Sequence, residues 1–163
     1  MGTSLNEGAF SVTVTNRGVG PAEVQRVRVL VDGKPAVDWL DMEAMLRGRR
    51  RFFESSSFDE IAGQVVNPGL TIESFKVSDR AEALALFAES SRVAIEICYC
   101  SSLGDCWLER MPTPFEPPTT DAIDGCKPDA NPFRAAGPET LAEMRAVIAR
   151  VSAGGDAGAP DAH

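Results

Sequence analysis

Phe10, Val12 and Val14 alternate with Ser11, Thr13 and Thr15, and a period of two places the apolar side chains on one face of a half-buried strand over residues 9–15. Segment 16–22 carries Gly18, Gly20 and Pro21 and reads as a loop. Val27, Val29 and Val31 then resume the alternation in a second strand, Glu23 to Val31. Asp32-Gly33 is a type I′ hairpin signal, since both residues tolerate positive φ, and it returns the chain through Lys34 to Val37. At Asp38 the period changes: Trp39, Met42, Met45 and Leu46 make an apolar helical stripe with Asp38 as N-cap, and Gly48 suits the position just past the end.

Segments 51–57 and 64–66 fit neither period, but Asn67-Pro68-Gly69 is a turn. In the strand that follows, Leu70 and Ile72 share one phase and Phe75 and Val77 the other, which predicts a bulge near Glu73-Ser74. Asp79 followed by Glu82 has capping-box spacing and opens an Ala/Leu-rich helix ending near Ser90. Arg92 to Cys100 reads as a long strand with Val93, Ile95, Ile97 and Tyr99 on one face and Ala94, Glu96, Cys98 and Cys100 on the other. Residues 101–105 turn the chain into a partner strand at Cys106-Trp107-Leu108. From Met111 to Pro138 the prolines are too frequent for regular structure, so an extended wrap tied down at Cys126 is expected. Leu141, Met144, Val147, Ile148 and Val151 then recur at helical spacing behind Pro138, a favourable first helical residue.

Short strands joined by hairpins, without a βαβ rhythm, predict a mainly β protein: an antiparallel β-sandwich with two short inserted helices and a C-terminal amphipathic helix. The expected division is a β domain over 8–127, a Pro-rich linker and amphipathic helix over 128–153, and a disordered tail over 154–163. A length of 163 residues with 44% hydrophobic and 25% charged residues fits one globular core. The formal net charge of −8 repels phosphate backbones and anionic lipid, so nucleic acid is not an expected partner. The basic run Arg47, Arg49, Arg50 and Arg51 follows the first helix and is read as balancing its dipole, with an anion or partner site as the alternative. No stretch approaches the ~18 apolar residues of a membrane span, and the opening lacks a basic and an apolar signal region. Asn6 stands where an N-myristoylation motif needs Ser or Thr. A membrane connection is therefore expected only through an anchor absent from this chain, and a cytoplasmic location if Met1 is the native start.

Cys98, Cys100, Cys106 and Cys126 carry the most specific chemistry. Cys98 and Cys100 share one strand face at a separation of about 6.5–7 Å, which would strain a bond between them. With an odd loop over 101–105, Cys106 returns on that same face directly across from Cys100, leaving Cys98 for Cys126. An even loop would put Cys106 on the opposite face, and four cysteines allow three connectivities, of which Cys100–Cys106 with Cys98–Cys126 is preferred. Closing the longer loop stabilises by about 3 kcal/mol. The alternative is a thiolate site for Zn²⁺ or Cu⁺ built from the same four residues, although their spacing lacks paired C-x2-C knuckles. No C-x-x-C is present to favour redox catalysis, and no cofactor is expected.

The single histidine, His163, is the last residue, so a catalytic triad has no base to position and no catalytic residue is expected. Gly18-Val19-Gly20 is read as a turn, because Glu23 replaces the third glycine of a dinucleotide loop. Asp41, Glu43, Glu54, Asp59, Glu60, Glu96 and Asp105 supply carboxylates, but a glycosidase needs two facing each other in a cleft. Glu96, on the cysteine face of an apolar strand, is the one to watch, with an exposed or ion-paired sheet residue as the plain alternative.

Residues 12–22, Val-Thr-Val-Thr-Asn-Arg-Gly-Val-Gly-Pro-Ala, with the later Asp32-Gly33-Lys34-Pro35, resemble the opening of bacterial Ig-like envelope domains. Ile97-Cys98-Tyr99-Cys100-Ser101-Ser102 with Asp105-Cys106-Trp107 resembles a signature of uncharacterised bacterial proteins that carry N-terminal membrane helices before such a domain. The resemblance covers about a third of the chain and implies an Ig-like, periplasmic or otherwise extracytoplasmic sandwich with oxidised cysteines; it implies no activity. The expectation is a non-enzymatic module that binds an unknown protein partner, with Leu141, Met144, Val147 and Ile148 as the docking residues.

Overall fold

Alternating apolar residues form strands at both of the places where the pattern is cleanest, and these strands lie in different sheets. The structure, a computed structural model, describes residues 2–6, 8–48, 56–113 and 116–154. Its strands are β1 (Gly2–Asn6), β2 (Ala9–Thr15), β3 (Ala22–Val31), β4 (Lys34–Ala36), β5 (Ser56–Phe58), β6 (Val65–Val66), β7 (Thr71–Val77), β8 (Val93–Ser101), β9 (Cys106–Met111) and β10 (Thr119–Ile123). The helices are α1 (Trp39–Arg47), α2 (Arg80–Glu89) and α3 (Pro138–Gly154), with a 3₁₀ turn at Ser90–Arg92. One sheet runs β1-β2-β7-β5 and the other β10-β9-β8-β3-β4, with β6 also paired to β3. Every pairing is antiparallel, so the protein is mainly β with two antiparallel sheets and three helices.

Phe10, Val12, Phe75 and Val77 of the first sheet and Val27, Val29, Val31, Ile95, Ile97 and Met111 of the second bury their side chains in one core. Trp39 from α1 enters it as well, stacked on Phe75 at 4.8 Å and meeting Phe133 edge-on at 5.0 Å. Phe75 also meets Phe10 and Phe58, so an aromatic column links the first sheet, α1 and the segment that precedes α3. Such pairs add about 0.5–1.5 kcal/mol each beyond their area burial.

The local signals place the elements well. Asp32 and Gly33 take positive φ of 50° and 77° in the hairpin, and Gly48 closes α1 at φ 69°. Asp38 caps α1 and Asp79 caps α2, each accepting from the backbone N–H three residues on. The bulge falls where expected, since Val12 faces Phe75 while Thr13 faces Glu73, leaving Ser74 as the extra residue. Arg92 ties three ends together, donating to Asp32, to Glu89 and to the carbonyl of Leu46. Its guanidinium holds the Asp32 carboxyl below its ordinary pKa, mainly through the direct hydrogen bond.

One expectation needs correction. The stretch from Met111 to Pro138 is not without regular structure: Thr119–Ile123 pairs along β9 from Cys106 to Arg110. The prolines flank this strand rather than interrupt it, and four of its five residues are exposed, so an apolar alternation never marks it. The opening of the chain also forms a strand, β1, paired residue for residue with β2. Short strand β5 begins at the end of segment 51–57, and β6 lies within segment 64–66. Arg49, Arg50, Arg51, Glu54 and the tail from residue 155 with His163 lie outside the described residues.

Candidate functional site

Along β8, and along β3 from Arg26 onward, past a bulge that keeps Val24 in the core, the even-numbered residues leave the core and form the outer face of the second sheet. Arg26 pairs with Cys98, Arg28 with Glu96, Glu96 in turn with Arg110, and Cys100 with Cys106. The five-residue turn brings Cys106 back onto the face of Cys100, and a disulfide joins the two with Cα atoms 4.0 Å apart. Cys98 is joined to Cys126 across a Cα separation of 5.7 Å. The preferred pairing is therefore the observed one. All four sulfurs are committed to these bonds, so this arrangement offers no thiolate, and among the described residues no group of three or more His, Cys, Asp or Glu stands placed to hold a metal ion.

Cys126 anchors a strap, residues 126–137, that crosses this outer face and then turns over the edge of β3. Arg26 donates to the carbonyl of Lys127 at 2.7 Å, and Arg28 meets Asp129 at 3.1 Å. Glu96 is an ion-paired sheet residue: it faces Arg28 at 3.3 Å and Arg110 at 3.6 Å, and Arg110 continues to Asp121. Beyond Asp129 the strap drives Phe133 into the core. Arg134 N–H donates to Val37, and Ala135 N–H donates to the Glu60 carboxylate at 3.0 Å.

The strap ends on Asp38, which is fully buried. One carboxylate oxygen accepts from Asp41 N–H at 2.7 Å, while the other accepts from Gly137 N–H at 3.0 Å and the Thr140 hydroxyl at 2.6 Å. Leu141 N–H bonds the Gly137 carbonyl, so Gly137 is the N-cap residue of α3 and a single carboxylate serves two helix N-termini. Negative charge is favourable there because both ends present unsatisfied N–H groups. A side chain at Gly137 would place its Cβ 2.7 Å from Asp38 Oδ2, so glycine is required by this approach.

After Thr140 nothing in α3 is buried through residue 152. Leu141, Ile148 and Val151 are 42%, 61% and 71% exposed, and Met144 and Val147 half-exposed. The docking residues expected from the sequence thus share one helix face, and the body of the protein does not cover it.

Beside the strap, between it and the edge of β3, lies a cleft of about 410 Å³. Arg26, Lys127 and Arg134 line it together with Val27, Ala62 and Phe133. Sequence patterning missed this convergence. The one available signal was that Arg26 and Arg28 alternate with the core valines and so share a polar face; nothing local showed that the strap would bring Lys127 and Arg134 to meet it. No described helix is long and apolar enough to cross a membrane. No protein-family model matches the chain, and neither does any curated protein or any solved structure.

Proposed function

We propose that this chain is a non-enzymatic, extracytoplasmic Ig-like domain that docks a protein partner through the apolar face of α3. The observation that carries the reading is that face: a helix pinned at its first turn by a buried carboxylate, yet presenting Leu141, Met144, Val147, Ile148 and Val151 away from the core. Two disulfides suit an oxidising compartment, where they form and persist. Two antiparallel sheets sharing one core suit an Ig-like sandwich, in line with the envelope-protein resemblance of residues 12–22 and 97–107. Glu96, the carboxylate best placed for chemistry, is taken up by two arginines.

The test is site-specific photocrosslinking of protein exported to the bacterial periplasm, with benzoylphenylalanine at Ile148 on the apolar face and at Ala146 on the opposite one. A discrete adduct from position 148 alone is the expected result. Adducts from both positions alike, or from neither, would remove the docking face, and four alkylatable thiols in the exported protein would remove the compartment.

A further inference from the structure

Three cationic side chains converge on the cleft beside the strap. In a chain of net charge −8, most arginines near carboxylates are paired: Arg28, Arg47, Arg92 and Arg110 all meet acidic partners. Arg26, Lys127 and Arg134 have no ion-pair partner among the described residues, and all three line this one cleft. Asp129, the carboxylate on its wall, is held by Arg28 at 3.1 Å. The remaining walls, Val27, Ala62 and Phe133, are apolar, and Pro128 and Pro132 stiffen the strap side. A volume of about 410 Å³ is in the range that takes a small organic ligand or two to three peptide residues.

The floor of the cleft adds backbone chemistry. Asp32 N–H bonds the Arg92 carbonyl, so Arg28 and Leu30 also exchange their backbone bonds with β8, and Val27, Val29 and Val31 turn theirs to the other edge. There β4 takes up Val29 and Val31, and β6 pairs with Ala22 and Glu23. Gln64 and Gly63 exchange bonds with Val24 at that edge, and among the described residues no strand pairs with Val27 on the side away from β8, where the alternation of the ladder turns its N–H and C=O toward the cleft it lines.

The geometry points to a binding site for a carboxylate-rich ligand with an apolar flank: its carboxylates meet Arg26, Lys127 and Arg134, and its body lies against Phe133 and Val27. Carboxylates come either from a free dicarboxylate or from an acidic peptide. The open edge at Val27 favours the peptide, since an extended backbone adds one ladder pair there. This inference goes beyond α3 docking and stands independently of it.

The test uses the intact, oxidised protein and fluorescence anisotropy with a fluorescein-labelled Glu-Val-Glu-Val-Glu peptide. A Gln-Val-Gln-Val-Gln peptide is the neutral control, and glutarate is the competitor. Saturable binding of the acidic peptide is expected, weakened about tenfold in the K127Q/R134Q variant and falling with added salt. Both residues are exposed, so the variant keeps its fold, which an unchanged melting curve verifies. Glutarate displacing the peptide at equal concentration would support the carboxylate site and assign it to free dicarboxylates, whereas displacement only at large excess assigns it to peptide. No saturable binding of either compound, equal binding of the neutral peptide, or an unaffected K127Q/R134Q variant would overturn the proposal. The photocrosslinking result at Ile148 is unaffected by any of these outcomes.

Discussion

Asp38 is the residue on which most structure converges, and only half of its role was legible. Its place before an apolar helical stripe marked it as the cap of α1, but its bond to Gly137 spans 99 positions and has no local signature. Asp38→Ala strands the Asp41 and Gly137 N–H groups and the Thr140 hydroxyl together, and a loss of about 3 kcal/mol in a urea melt is expected. Gly137→Ala tests the same contact from the other side. Its new methyl group must displace the carboxylate, for an expected cost of about 1–3 kcal/mol, where an ordinary loop glycine would tolerate alanine with little change. Tyr99 offers a spectroscopic reading, because it is the single tyrosine. Partial burial against Trp107, with Glu109 nearby as the lesser cause, raises its pKa. A titration followed at 295 nm should therefore have its midpoint above the ordinary value of about 10 and return to it in guanidinium. A raised tyrosine favours the neutral form in the folded state. Stability is thus full below pH of about 10 and declines as pH climbs from there through the folded pKa.

Among the elements, those with an apolar period or a cap were readable and those with neither were not. β2, β3, β8, α1 and α2 all carry an apolar period or a cap, whereas β10 is an exposed edge strand and β1 is the short run Gly2–Asn6 without apolar alternation. The cysteine pairing was legible for a geometric reason: strand parity and an odd turn left a single favoured partner for Cys100. The two disulfides nevertheless do different work. Cys100–Cys106 closes a sequence separation of 6 across one ladder rung, while Cys98–Cys126 closes 28 and holds the strap. Loop-closure entropy gives about 2 kcal/mol for the first and about 3–4 for the second. Chemical denaturation of the paired Cys→Ala variants should rank them in that order. An equal loss from both would mean that the strap's other contacts, Phe133 and Asp38 foremost, hold it without the Cys98–Cys126 bond. Phe133→Ala separates those contributions: it removes a buried ring from the edge of Trp39, with an expected cost of about 3–5 kcal/mol, and leaves both disulfides intact.

At the scale of the whole molecule the strap divides the C-terminal segment into a part that belongs to the core and a part that does not. Phe133, Ala135 and Thr140 are buried and Gly137 meets Asp38, so the body of the protein extends well past the second cysteine pair. From Leu141 onward no described side chain is buried, although the apolar period there is as regular as that of α1. A periodic stripe states that a face will be covered without stating by what, which is why the sequence predicts the helix but not its surroundings. Truncation discriminates the two parts. Ending the chain after Glu143 removes most of α3 but, among the described residues, no buried one, and the melting temperature of the oxidised protein should move by no more than about 3 °C. Ending it after Lys127 keeps both disulfides but removes Phe133, Ala135 and the Gly137 and Thr140 partners of Asp38, and a fall of more than about 10 °C is expected. If the shorter deletion proved as damaging as the longer one, α3 would be packed on the body in solution and its apolar face would be part of the core. If only the longer one is damaging, the protein maintains an apolar helix that its own stability does not require, and that helix is then available to a partner.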